Sequence, residues 1–343
     1  MGKLDSGSSI SAARAGAFAR YAAYLESQGV AVGRLLANAK IPPWLLDHPD
    51  ALVPLDNAIR FVELGCRALG TEHLGVHVAL GTSLQQFGAY GRALERSVTI
   101  YDYLRRGASH YNTQVTGQHL WLSDHGSELR LNVGTASATG LGAFQSHLST
   151  LTITIISLRK VDPEWSPREM GLAYRTREAL PMIGCYANSR LSRESTVSYI
   201  TIPRALAGLS FAARIRGRAA DPQWSSGGRS LPGGLCDVVE HQIKALISDG
   251  TPHIDTLAES LCVSPRSLQR GLAKHQSTYS QLLAEARMTM ASEWLESTDK
   301  PITEIAFDLG YADASNFTRA FRWTAGLSPQ KFRNANRVQA AGS

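Results

Sequence analysis

Apolar residues recur every three or four positions through much of the first half of the chain. This predicts amphipathic helices over Ala15–Gln28, Ala31–Ala39, Asp56–Leu69, Phe87–Ser97 and Thr99–His110. In the third, Asp56 is the expected N-cap, ahead of Ile59, Phe61, Val62 and Leu64. The period then drops to two. Strands are expected at Asn112–Thr116, His119–Ser123 and Glu128–Val133, the last two folded about a turn, Ser123–Ser127, that contains Asp124 and Gly126. Gly142–Arg159 fits either state: its length favours helix, its Thr and Ile content strand. Met170–Tyr174 and Val197–Ile202 read as further strands. Residues 15–216 are therefore expected to form an α/β (α+β) domain.

The segment Gly217–Gly234, GRAADPQWSSGGRSLPGG, is rich in Gly, Ser and Pro and reads as a linker. Beyond it no strand pattern remains. Cys236–Ser248 is amphipathic, and residues 235–335 read as an all-α domain of short helices. That domain contains an internal repeat. Leu257, Ala258, Leu261 and Val263 align with Ile305, Ala306, Leu309 and Tyr311 at an offset of 48. Ser264, Leu268, Arg270 and Leu272 align with Asp313, Phe317, Arg319 and Phe321 at 49. Each copy has a short helix, a turn, a capping residue (Ser264 before Pro265, Asp313 before Ala314) and a second helix. The pattern predicts two helix-turn-helix units, 254–275 and 302–323, whose second helices fit the major groove of DNA. Between them Ser280–Leu295 reads as a spacer helix about 24 Å long, with Leu283, Ala286, Met290 and Trp294 on one stripe. It would hold the two units about one DNA turn apart.

Charge sharpens the picture. The 343 residues carry a net charge of +6. Residues 231–343 sum to −1, yet Ser264–Ala284 and Ala314–Ser343 hold only bases, while the acids lie between them. Two basic faces on a neutral domain suit nucleic acid. In the first copy Leu268 and Leu272 point inward, and Arg266, Gln269 and Arg270 outward. In the second Phe317 and Phe321 point inward, and Ser315, Thr318, Arg319 and Arg322 outward. Arg and Gln can read G and A edges bidentately, whereas Lys274, Arg322 and Lys331 are placed to neutralise phosphates. No phosphate loop, nucleophile elbow or paired-carboxylate spacing marks an enzyme. The four cysteines lack metal-ligand spacing, and no run of about 18 apolar residues or apolar leader is present. No metal, cofactor or membrane span is expected, and a reduced cytoplasmic compartment is.

Arg287, Ala291 and Leu295, followed by PITEIAFDLGYADASNFTRAFRWTAGLSPQKFR from Pro301 to Arg333, resemble the C-terminal signature of the AraC/XylS family of bacterial transcription regulators. The resemblance implies a double helix-turn-helix fold and promoter binding. Carried over residue by residue, it implies base contacts by Arg266, Gln269, Arg270, Ser315, Thr318 and Arg319. There are departures: Gln276 stands where the family commonly has Gly, and Gly271 and Trp323 stand at positions often basic. Fewer phosphate contacts are then expected. Three stretches, IPPWLLDHPDALVPL, the helices around Leu69–Gly81 and GAYGRALERSVTIYDYLRRG, resemble the N-terminal effector and dimerisation domain of a subgroup with ornithine-utilisation and virulence regulators. That domain differs from the small barrel of the arabinose regulator itself. The implied partners are double-stranded promoter DNA, a second copy in a homodimer, RNA polymerase and a small-molecule effector. Tyr101, Tyr111, Trp121 and Phe144, with Tyr103 near them, are aromatic candidates for an effector pocket. Two other readings stay open: an N-terminal domain that only dimerises or binds a protein partner, and, more remotely, a small-molecule enzyme with a helical accessory domain.

Overall fold

A computed structural model of the chain describes residues 10–135, 140–174, 186, 189–192, 195–211, 231 and 233–341. Most of the expected linker, and Cys185, lie outside the described residues. The chain divides into two compact units, one built on residues 11–49 and 53–231, the other on residues 232–343.

The N-terminal unit contains helices α1 (Ala15–Ser27), α2 (Val32–Ala39), α3 (Leu55–Leu69), α4 (Leu74–Leu80), α5 (Gly88–Glu95), α6 (Ile100–His110), α7 (Leu141–Arg159) and α8 (Arg204–Ala207). Besides a two-stranded sheet of Ala12–Arg14 and Leu52–Pro54, a larger sheet has five strands, β1 (Gln118–His125), β2 (Glu128–Thr135), β3 (Glu169–Gly171), β4 (Arg190–Ser192) and β5 (Ser198–Pro203). They lie in the order β1-β2-β5-β3-β4. All neighbours are antiparallel except β3 and β4. The β1–β2 hairpin closes through Gly126 and Ser127 alone, with His125 opposite Glu128, so the turn is tighter than the sequence predicts. Gly126 takes φ +74°, a conformation that favours glycine, and its N–H donates to Asp124 Oδ1 at 2.9 Å.

Helix α7 organises this unit. It packs on β2 and β5 on one side and on α3 and α4 on the other. That explains why periodicity left the segment undecided: a helix covered on nearly every side shows no polar stripe. Its threonines stay helical because their hydroxyls donate back one turn, Thr152 to Leu148 O at 2.6 Å and Thr154 to Thr150 O at 3.0 Å. Among the described residues α7 is the helix long and apolar enough to cross a membrane by composition, and most of it is buried inside the protein. The α4 crossing is close. A Cβ on Gly75 would lie 2.0 Å from Gln145 O, and Gln145 Oε1 accepts from the Gly75 N–H at 2.9 Å.

Two expectations are corrected. Asp56 is not an N-cap: α3 starts at Leu55 behind Pro54, and Asp56 sits in the first turn, where its charge still suits the helix dipole. Asn112–Thr116 is not a strand. A 3-10 turn, Tyr111–Thr113, precedes one isolated bridge at Val115.

His147 on α7 is buried, its Nε2 2.8 Å from Thr135 Oγ1 and its Nδ1 3.3 Å from Ser198 Oγ. Desolvation pushes its pKa down from 6.5 to about 4. The unfolded chain therefore binds a proton between those values that the folded chain refuses. Stability is unaffected above pH 6.5, falls as pH drops from 6.5 to about 4, and levels off below, a loss of about 3 kcal/mol. Urea unfolding at pH 7 and pH 4 should show His147→Gln losing about that much less than the parent protein. Equal losses would remove His147 as the cause.

Candidate functional site

The C-terminal unit contains α9 (Leu235–Leu246), α10 (Ile254–Ser260), α11 (Pro265–Lys274), α12 (Tyr279–Ser297), α13 (Ile302–Asp308), α14 (Ala314–Ala325) and α15 (Pro329–Ala341). The repeat read from side chains reappears in the backbone. In the first turn Leu261, Cys262 and Val263 N–H groups donate to Leu257, Glu259 and Ala258 carbonyls. In the second, Leu309, Gly310 and Tyr311 donate to Ile305, Phe307 and Ala306, the same three bonds 48 residues later. Cys262 (φ 58°) and Gly310 (φ 74°) occupy the same left-handed position.

Both second helices start on the expected caps. Ser264 Oγ accepts from Ser267 N–H at 3.1 Å, and Asp313 Oδ1 from Asn316 N–H at 2.7 Å. Helix α11 buries Leu268 and Leu272 and leaves Arg266, Gln269, Arg270 and Lys274 exposed. Helix α14 buries Phe317 and Phe321; Phe317 packs tilted against Tyr311, and Phe321 meets the Phe332 ring edge to face. It leaves Ser315, Arg319 and Arg322 exposed and Thr318 half-buried; Lys331 on α15 is also exposed. The two second helices rest on different supports, α11 on α10 and α9, α14 on α13 and α15. Their outer faces are free to meet a ligand.

Three features were not read from the sequence. Asn316 Oδ1 accepts from Arg319 Nη2 at 2.5 Å and so holds that side chain along the helix. Its i, i+3 spacing was the available signal. Helix α12 buries Ala286 and Met290 of the predicted stripe, but its other buried positions are Leu282, Ala291 and Leu295, with Leu283 and Trp294 only half-buried. Its start is fixed by a capping box at Thr278 and Gln281, and its buried face by packing on α9, α13 and α15. Arg287 on α12 donates from Nε to Leu309 O at 2.7 Å, and from Nη2 to Gly310 O at 2.9 Å and Thr251 Oγ1 at 2.6 Å. Its guanidinium also stands 4.7 Å from the Tyr311 ring centroid. One side chain thus ties the spacer helix to the turn of the second unit and to the segment before the first.

Gln276 does adopt the left-handed conformation that the missing glycine implied, at φ 55°. Gln276→Gly should raise stability by about 0.5–1 kcal/mol, relief of side-chain strain outweighing the added freedom of the unfolded chain. An unchanged or lowered urea midpoint would show that the turn carries no such strain.

In the N-terminal unit a cavity of about 130 Å³ lies among α1, α3, α5, α6 and α7. Tyr111 lines it, with Tyr21, Tyr90 and Tyr103. The other three pocket candidates lie elsewhere. Trp121 is 38% exposed, on the face of β1 opposite Leu120, which does line the cavity. This is the alternation of a strand. Tyr101 is 47% exposed on α6, two positions before the cavity-lining Tyr103. Phe144 is core, stacked on Tyr174.

The lining phenols are largely satisfied: Tyr21 donates to Gln145 O at 3.2 Å and Tyr90 to Gly107 O at 3.1 Å. The Tyr111 hydroxyl lies 3.0 Å from Thr150 Oγ1 and 3.2 Å from Gln118 Oε1. Burial pushes Tyr21 and Tyr103 up to about 12, and Tyr90 and Tyr111 upward as well, so all four stay neutral near pH 7. Arg20 is the cation on the lining. The signal for it was a base on α1 with no acid within a turn.

Comparison with known proteins agrees with both halves. A helix-turn-helix domain family matches residues 257–335. The family described as the arabinose-binding domain of AraC transcription regulator, N-terminal, matches residues 29–207, just over half the chain. The ornithine utilization regulator of Pseudomonas aeruginosa is 42% identical over 84 residues, 24% of this chain and only 25% of that relative's length. The uncharacterized HTH-type transcriptional regulator Rv1395 of Mycobacterium tuberculosis is 24% identical over 334 residues, 89% of this chain and 91% of its own. A crystal structure of the transcriptional regulator CdpR from Pseudomonas aeruginosa aligns at 19% identity and a TM-score of 0.40, over 90% of this chain and 98% of that one. The chain belongs to the AraC family of DNA-binding transcription regulators, with an N-terminal domain of the arabinose-binding type.

Proposed function

We propose that residues 235–335 bind promoter DNA with α11 and α14 in successive major grooves. Arg266, Gln269, Arg270, Ser315, Thr318 and Arg319 face base edges, and Lys274, Arg322 and Lys331 face phosphates. Two outward basic faces, built on duplicate turns and held by separate supports, favour this reading. Residues 15–216 form the effector and dimerisation domain, and residues 217–234 the linker. The chain acts in the cytoplasm as a homodimer, which raises affinity by joining two DNA-binding modules, and it contacts RNA polymerase. It has no catalytic activity of its own.

A small molecule in the N-terminal cavity controls DNA occupancy. The observation that carries this is the cavity itself: apolar walls, neutral phenols and one cation, inside a well-packed unit. An occupant can act only by binding two states of the protein unequally. Filling the cavity tests this. Ala58 on α3 lines it, and Ala58→Phe places a ring inside. Genome-wide occupancy mapped across several carbon sources should vary with growth condition for the parent protein and stay constant for Ala58→Phe. Identical variation in both would favour an N-terminal domain that only dimerises.

A further inference from the structure

Arg20 is an unusual lining group. Its Nη2 donates to Ala17 O at 3.1 Å and its Nη1 to Thr82 Oγ1 at 3.4 Å, so two of its five N–H donors are engaged. Its Nε is buried without a partner. Its guanidinium stacks 4.1 Å from the Phe87 ring centroid, which fixes the plane of the fork. No carboxylate among the described residues forms an ion pair with it. Burial lowers its pKa to about 10, so it remains charged near neutrality at a cost that a counter-ion would remove.

The rest of the lining narrows what that counter-ion can be. The walls are mainly apolar, from Phe18, Leu55, Val62, Leu84 and Leu104, and the polar side chains between them largely bond to one another or to backbone. A polyol would find few free partners. The volume of about 130 Å³ is close to the ~150 Å³ of an apolar cavity that accepts benzene. A planar monoanion matches one guanidinium in both charge and fork geometry, whereas a phosphate dianion would leave a charge uncompensated.

We propose that the cavity is the receptor for a small monocarboxylate, an apolar body of about the size of a benzene ring or short alkyl chain, held by its carboxylate on Arg20. This rests on the effector reading and gives it a ligand class. Entry of the acid pairs the Nε donor, replaces water along the walls and leaves the phenols undisturbed.

The test is calorimetric titration of the full chain with benzoate, hexanoate, benzamide and inorganic phosphate. Benzoate or hexanoate should bind about 10- to 100-fold tighter than benzamide, the worth of one charge-assisted bond pair. Arg20→Gln should bring the acid down to the benzamide level without lowering the melting temperature of the free protein, because it also removes an uncompensated charge. Ala58→Phe should abolish binding of every probe. Three results overturn the proposal: acids binding no tighter than benzamide or not at all, Arg20→Gln keeping the preference, or phosphate binding as well as benzoate. If the acids fail while Ala58→Phe still freezes promoter occupancy in cells, the ligand class is wrong and effector control stands. If occupancy in cells also ignores the filled cavity, both fall together.

Discussion

Replacing Arg270 and Arg319 together with alanine is expected to cost about 2–6 kcal/mol in binding to the specific operator. Each is an exposed guanidinium on the outer face of its second helix. A bidentate base contact is worth about 1–3 kcal/mol of discrimination. The two sit on separate helices with separate supports, so their losses should add. Binding to random DNA should fall far less, since phosphate contacts supply most of it. Lys274→Ala makes the comparison: it should weaken all sequences alike and reduce the salt slope by about one. Footprinting and salt titration measure both. An operator footprint that survives the double substitution would remove α11 and α14 as the reading helices.

Arg287→Met should destabilise the C-terminal unit by about 2–4 kcal/mol. The guanidinium serves two turn carbonyls and the Thr251 hydroxyl at 2.6–2.9 Å; without it Leu309 O loses its side-chain donor, and Gly310 O keeps only the longer bond from Thr251 Oγ1 at 3.4 Å. The site is crowded as well. A Cβ on Gly310 would lie 2.2 Å from Thr251 Oγ1 and 3.0 Å from Arg287 Nη2, so the turn meets the clamp at a distance only glycine allows. Arg287→Lys should recover only part of the loss, because an ammonium cannot span acceptors set for a planar fork. Urea unfolding of the chain reports this. Operator affinity should fall with stability, since the second turn positions α14. A parent-like urea midpoint for Arg287→Met would show that the contacts carry no net energy.

The duplicated units were legible in the sequence because every level of information agreed there. Caps at Ser264 and Asp313, buried pairs at i and i+4, and acid-free outer faces all demanded the same two helices. Strand positions 119–123 and 128–133 were legible for the same reason, since alternation and a Gly-containing turn coincide. Legibility failed where a neighbour, not the local chain, sets the outcome. Burial on both sides erased the polar stripe of α7. Packing of α12 on α9, α13 and α15 buries Leu282 and Leu295 in place of Leu283 and Trp294. Of the aromatic candidates, Tyr111 and Tyr103 line the cavity while Tyr101, Trp121 and Phe144 do not, because residue type says nothing about facing: Tyr101 and Tyr103 differ by two positions on one helix, and one is exposed while the other lines the cavity.

Spacing along the chain was enough to specify the helix-turn-helix pair, its caps and its buried positions, and the motif resemblance gave the family. Those depend on interactions within about ten residues, which the local order of side chains encodes directly. The cavity, the unpaired Arg20 and the Arg287 clamp depend on groups brought together from far along the chain: Arg20 with Thr82 and Phe87, Arg287 with Thr251 and Leu309. Long-range packing alone chooses which polar atoms lose water and which find a partner, and no pattern in the linear order records that choice.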